Sequence, residues 1–207
     1  MKSLIGNRLF QSLLVACSLF PLNCATTSRM QTTQTTCANY LDCEKSSYIL
    51  PFLPGEKHKV IQGNCAEPKN PWTHFGILRY AYDFAMPIGT PIVAARNGTV
   101  LFVRDEFTDN DHGKNQGNAI VLLQEDGTFA LYAHITHKGS KVKVGQIVKQ
   151  GDIIALSGNS GESPIPHLHF QVNACGDFSK CESLPISFRN VTPNVNVLEK
   201  DSEYEAK

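Results

Sequence analysis

The feature that most limits how this chain can fold is a series of short β-branched runs closed off by glycine. Pro91 to Ala94, Thr99 to Val103, Ala119 to Leu123 and Ile153 to Leu156 each have the length of a strand. No segment repeats its apolar residues at the spacing of an amphipathic helix. The clearest pairing signal is Asp126-Gly127, set between Ala119-Ile120-Val121-Leu122-Leu123 and Phe129-Ala130-Leu131-Tyr132. A two-residue Asp-Gly turn supplies the positive φ that the twist of a hairpin wants. The sequence therefore predicts an all-β fold of antiparallel sheets.

With 207 residues and 42% apolar positions, the chain can bury one sizeable core. Its ends do not read as core. Lys2 and Arg8, followed by the apolar Leu13 to Leu22, predict an export signal within residues 1–25. Two processing sites compete. Leu14-Val15-Ala16-Cys17 has the form of a lipobox, in which Cys17 would be acylated and tether the protein to a membrane, and ordinary cleavage would instead follow Ala25. Residues 26–47 include the low-complexity run TTSRMQTTQTT and read as a flexible linker. The folded domain is expected over residues 48–192, and the charged residues 193–207 as a polar tail. The protein should act in the periplasm, the cell envelope or outside the cell.

Cysteine usage agrees with export. Of seven Cys, Cys37/Cys43 and Cys175/Cys181 each enclose five residues, a loop that a disulfide can close in an oxidising space. Cys65 is then left over unless Cys24 survives, connectivity stays open, and inert buried thiols are the alternative. Nineteen basic residues balance nineteen acidic ones, so the chain lacks the electrostatic footprint of a nucleic-acid binder. Nothing suggests more than a monomer.

The chemistry concentrates in a few histidines and one aspartate. In the strand signal at His167-Leu168-His169-Phe170, alternate residues share a face, so both imidazoles point one way while Leu168 and Phe170 point into a core. Tyr132-Ala133-His134 ends the strand after the Asp-Gly hairpin. Tyr82-Asp83-Phe84 sets a carboxylate between two aromatics, where desolvation demands a cation. His74 lies nine residues upstream of Asp83. Two His and one Asp leave a fourth position open, as in zinc sites of catalytic type, and further His nearby can move protons. Arg79 is a rival partner for Asp83, because on a regular strand it shares the same parity. The polar run Arg104 to Asn118 reads as a loop forming one wall of a binding site. Gly158, Asn159 and Gly161 read as a tight turn with positive φ, and Ser163 as a residue that shapes the approach to His167. His58, His112 and His137 read as solvated.

These motifs resemble those of the lysostaphin-like, LytM-type zinc metalloendopeptidases, which cut peptide cross-links in bacterial peptidoglycan. The similarity runs from about Tyr48 to Val172. It covers Tyr80-Ala81-Tyr82-Asp83-Phe84, Met86-Pro87-Ile88-Gly89-Thr90-Pro91, Tyr132-Ala133-His134, Gly158-Asn159-Ser160-Gly161 and His167-Leu168-His169-Phe170. The resemblance implies an all-β duplicated hybrid motif, one zinc held by His74, Asp83 and His169, and catalytic roles for His134 and His167. The substrate would be a peptidoglycan peptide. One departure matters. The family pattern is HxxxD, whereas here Arg79 stands at the histidine position and His74 is five residues further away. Those added residues would have to form a loop that returns His74 to the site. If they do not, the alternative is a non-catalytic LytM-type module that binds peptidoglycan or regulates another murein hydrolase. A lipoyl-like carrier domain is a third reading, suggested by the Val-x-x-Gly spacing within Val142 to Gly151.

Overall fold

A computed structural model describes residues 40–64 and 73–207. The expected export signal, Cys17, and Cys24, Cys37 and Cys65 lie outside the described residues. Eleven strands follow in order: β1 (Lys57–Gln62), β2 (Tyr82–Ala85), β3 (Pro91–Val93), β4 (Gly98–Arg104), β5 (Ala119–Leu123), β6 (Phe129–Ala133), β7 (Ile147–Val148), β8 (Ile153–Leu156), β9 (His167–Asn173), β10 (Val191–Thr192) and β11 (Glu203–Ala206). Two 3-10 turns, Cys43–Lys45 and Gly76–Leu78, are the only helical elements among the described residues. No helix there is long and apolar enough to cross a membrane. The fold is all-β and every strand pair is antiparallel.

Nine strands form one sheet in the order β10-β11-β1-β2-β9-β6-β5-β4-β7, and β3 pairs with β8 separately. β9 sits between β2 and β6, and all seven of its residues are buried. Its alternation divides two environments. Leu168, Phe170 and Val172 face the core, where Tyr132 and Phe170 lie 5.0 Å apart and Phe170 and Phe188 6.0 Å apart. His167, His169, Gln171 and Asn173 occupy the other face. The burial of Phe84, Phe170 and Tyr132 supplies the apolar support on which this polar face is mounted.

The expected β5–β6 hairpin forms, from Ala119 opposite Ala133 to Leu123 opposite Phe129. Its turn differs from the expected two-residue form. Gln124 N donates to Thr128 O and Gly127 N to Gln124 O, which encloses three residues. Only Gly127 has positive φ, at 82°. A type I turn closed by a left-handed Gly is the other common solution to the same twist problem, and it needs just one such residue.

Two further expectations are corrected. The tail 193–207 is not merely polar, because Leu198, Tyr204 and Ala206 are buried and β11 pairs with both β1 and β10. The alternation of Tyr204 and Ala206 with glutamates is an amphipathic strand pattern, hidden in sequence by the surrounding charge. Cys43 is a buried free thiol and its expected partner Cys37 lies outside the described residues, whereas Cys175 and Cys181 are joined as expected. His58 is no solvated residue: its ring packs edge-on against Phe52 and its Nδ1 lies 3.0 Å from the Ala85 carbonyl.

The turn at residues 157–161 shows two different reasons for glycine. Gly161 has φ of 79°, as expected. Gly158 does not adopt positive φ; it is needed because a Cβ there would lie 2.3 Å from Thr136 N and 2.5 Å from Asp109 Oδ1. Backbone atoms cannot step aside as a flexible side chain can. Gly158→Ala is expected to destabilise the fold by about 1–3 kcal/mol, measured as a lower urea midpoint with an unchanged m-value.

Candidate metal centre

Asp83 on β2 is paired in register with His169 on β9, and His169 is paired on its other side with Ala133 of β6. His134 follows directly after β6, and His167 lies two residues before His169 on the same face. Strand pairing thus collects four of the five expected residues. The fifth, His74, comes from the connection between β1 and β2. The 3-10 turn Gly76–Leu78 takes up the added residues, with Arg79 N bonded to Gly76 O and Ala81 N to Leu78 O. His74 N is tied to Gly63 O just beyond β1. The turn also disposes of the rival cation: Arg79 faces outward, its Nε 3.5 Å from Glu182 Oε1.

His74, Asp83 and His169 are all buried and offer ligand atoms within 4.8 Å of one another. His74 Nε2 is 3.3 Å from Asp83 Oδ2, His167 Nε2 is 3.6 Å from the same oxygen, and His169 Nδ1 is 2.8 Å from Asp83 Oδ1. The rings of His134 and His167 lie 4.4 Å apart between centroids.

The outer nitrogens fix which ring atoms face inward. His74 Nδ1 lies 3.1 Å from Gly63 O and 3.0 Å from Ala81 O. His134 Nδ1 lies 2.7 Å from Ser160 O, and His167 Nδ1 2.8 Å from Ile165 O. Carbonyls only accept, so each of these Nδ1 atoms carries a hydrogen and each Nε2 is turned to the centre as a donor of its lone pair. His169 is reversed: Nε2 lies 2.7 Å from Gln171 Oε1, and Nδ1 faces Asp83. Each candidate ligand histidine thus has an outer partner that orients it, the arrangement metal-binding imidazoles commonly have. The donor set and its burial fit a zinc ion with an open fourth position.

Electrostatics separate the residues further. Burial alone would push the Asp83 carboxyl up, but the neighbouring His169 and His74 imidazoles hold it well below the usual carboxylate range. Burial, followed by the neighbouring His167 and His169, pushes the His134 imidazole down to about 3. Burial lowers His167 too, against the pull of Asp83. For His169, burial is outweighed by the charge and hydrogen bond of Asp83, so it is raised. His134 and His167 are therefore neutral bases at neutral pH.

Several residues that hold the site carry no obvious motif. His134 has φ of 65°, a left-handed conformation that costs a non-glycine residue about 1 kcal/mol or more. It is held there by His134 N to Asn118 O at 2.9 Å and by the bond to Ser160 O. Asn118 and Ser160 are fully buried, and both donate to Ile135 O. Ser163 shapes the approach as expected, its Oγ 3.0 Å from His167 Nδ1. The loop Arg104 to Asn118 does contribute to a wall: its Lys114 lines the cleft of about 450 Å³ over Asp83, as does Glu162. The sequence signal for Gln171 was available, since it continues the parity of His167 and His169. Asn118 and Ser160 act through contacts remote in sequence and offered no such signal. His112 and His137 lie outside the cleft.

Comparison with known proteins places this geometry. The model described as "Peptidase family M23" matches residues 78–180. That segment contains Asp83, His134, His167 and His169, and begins four residues after His74. Lysostaphin of Staphylococcus simulans is 35% identical over 140 residues, covering 62% of this chain and 27% of that protein. Peptidoglycan DD-endopeptidase ShyA of Vibrio cholerae is 37% identical over 90 residues, covering 44% of this chain and 19% of that protein. The catalytic domain of lysostaphin from Staphylococcus simulans aligns with 32% identity and a TM-score of 0.43, over 62% of this chain and 87% of that one. The chain thus spans less than a third of the length of these curated relatives.

His74→Ala and Asp83→Ala are each expected to abolish stoichiometric zinc binding, measured by metal analysis after dialysis. Arg79→Ala should leave the stoichiometry at the wild-type value. Zinc retained in His74→Ala would place the third ligand elsewhere.

Proposed function

We propose that this chain, whose residues 78–180 are a domain of peptidase family M23, is an exported zinc endopeptidase that hydrolyses peptide bonds in bacterial peptidoglycan. The observation that carries this reading is the convergence of inward-facing imidazole nitrogens of His74, His167 and His169 on one buried carboxylate, with His134 against His167. A purely structural cluster would not keep two neutral histidines beside an open ligand position. His74, Asp83 and His169 would hold the zinc, which when bound acts as a Lewis acid toward a carbonyl and makes water a better nucleophile at neutral pH.

The protein's own groups do the rest. His134 and His167 each engage Nδ1 with a carbonyl and leave Nε2 facing the cleft. Either Nε2 can take the proton of the attacking water, and the protonated ring can then pass it to the leaving amine. Once protonated, that Nε2 is also the group that can donate to the oxyanion of the tetrahedral intermediate, while the partner ring stays neutral. Rings this close cannot both carry charge cheaply, so a single proton is shared between the pair. The fixed backbone at His134 and the carbonyl bonds at both rings spare the site reorganisation during the reaction.

A groove of about 490 Å³ runs from His134 across the outer face of β4, β5 and β6. Phe102, Val121, Phe129 and Leu131 line its floor, with Arg104 and Lys114 on its rim. An extended peptide laid in this groove would bring its scissile bond to the histidines. Peptidoglycan as the substrate accords with the similarity to ShyA, a peptidoglycan DD-endopeptidase. The paired Cys175 and Cys181 accord with an oxidising compartment, and Cys17 is the proposed site of a lipid tether.

The test is incubation of the zinc-loaded protein with purified peptidoglycan, followed by muropeptide analysis. New peptide termini are expected with the wild type. His167→Ala should keep full zinc and lose turnover by about 10² or more. A wild-type protein that binds zinc and muropeptides but releases no new termini would favour the binding-module reading.

A further inference from the structure

The polar face of β9 does not stop at His169. Gln171 and Asn173 continue it, both fully buried and neither used in the chemistry above. They form a directed chain of hydrogen bonds. Asn173 Nδ2 donates to the Cys181 carbonyl at 2.7 Å, Gln171 Nε2 donates to Asn173 Oδ1 at 2.7 Å, and Gln171 Oε1 lies 2.7 Å from His169 Nε2. The chain ends at His169 Nδ1, 2.8 Å from Asp83 Oδ1.

The direction of this chain is set at its far end. A backbone carbonyl has no hydrogen to give, so it requires the nitrogen of the Asn173 amide and turns the oxygen toward Gln171. That oxygen in turn requires the nitrogen of Gln171 and turns Oε1 toward His169. Oε1 can only accept, so the hydrogen must lie on His169 Nε2. Reversing either amide would bury two donors or two acceptors face to face, which costs about 1–3 kcal/mol for each group left unpaired. The far end is also anchored. Cys181 is bonded to Cys175, and Leu184 N donates to Val172 O at 2.6 Å.

We infer that Gln171 and Asn173 are positioning residues, which carry the acceptor character of the Cys181 carbonyl to His169 and so hold its Nδ1 ready for the metal. The other candidate ligand, His74, is oriented by two carbonyls directly. His169 lies in the middle of a strand whose own carbonyls are committed to β2 and β6, so no backbone acceptor can reach its ring. Side-chain amides supply the missing acceptor. The inference rests on the metal-centre reading, and its test separates the two.

Zinc affinity is measured by competition with a chromophoric chelator for the wild type, Gln171→Leu, Gln171→Glu and Asn173→Leu. Gln171→Leu keeps the volume but removes the acceptor, and should weaken zinc binding about 10- to 100-fold. Gln171→Glu retains an oxygen for His169 Nε2 and should restore most of that loss, which a residue needed only for packing would not predict. Asn173→Leu leaves Gln171 present but undirected, and should weaken binding by less than Gln171→Leu. Nitrogen-15 NMR of the zinc-loaded wild type should find the His169 hydrogen on Nε2, a readout independent of whether any variant folds. Wild-type affinity in a folded Gln171→Leu, equal loss in the Leu and Glu variants, or a hydrogen on Nδ1 would each overturn the inference alone. A wild type that binds no zinc overturns the metal-centre reading and this inference with it.

Discussion

A carboxylate buried at Asp83 is the constraint around which the site is organised. Removing an ionised group from water costs several kcal/mol unless cations or directed hydrogen bonds replace its hydration. Here the nearest side chains are imidazoles of His74, His167 and His169. The one guanidinium close in sequence, Arg79, is directed to Glu182 at the surface. Had Arg79 turned inward, a permanent charge on a fork of five donors would have satisfied Asp83 and closed the site to a metal. The 3-10 turn at Gly76–Leu78 is therefore decisive, because it exchanges Arg79 for His74 beside the carboxylate.

The remaining architecture keeps the nitrogens of these rings pointed inward. β9 accomplishes this through its position in the middle of the sheet. Its two faces meet different surroundings, so Leu168 and Phe170 are locked into an aromatic core while His167 and His169 have little freedom to rotate away. His134 is placed by other means, since it lies beyond the last pairing of β6. Its left-handed backbone is sustained by Asn118 and Ser160, themselves joined by Asn118 N to Ser160 Oγ at 3.0 Å. Asp109 secures the same turn by accepting from Asn159 N and Thr136 Oγ1. A polar loop between β4 and β5 thus does more than wall the cleft, because it braces one of the two histidines proposed to move protons.

Outer-sphere bonding is divided by location. Where an irregular segment lies alongside, at His74, His134 and His167, its carbonyls orient the rings. Where the chain is a paired strand, at His169, the ladder has consumed the carbonyls and buried amides take their place. The stretched spacing of His74 to Asp83 belongs to the same logic: an irregular connection can lengthen and still deliver its residue, provided that its end is tied to Gly63.

The sequence by itself determined the all-β class, the pairing of β5 with β6 and the separation of His167 and His169 from Leu168 and Phe170. These are consequences of local steric preference and of the two-residue period of a strand, which act over a few neighbours. It also placed Asp83 in an apolar setting that required a cation, without deciding which one. The partner of Asp83, the left-handed backbone at His134, the reason for Gly158 and the burial of Tyr204 and Ala206 were decided only in the tertiary structure. Each depends on a segment distant in the chain: the turn after His74, the strand edge at Asn118, the backbone of Thr136, and the pairing of β11 with β1. Local pattern cannot encode such contacts, because the energy that selects them comes from satisfying buried polar groups and filling space after the strands have assembled.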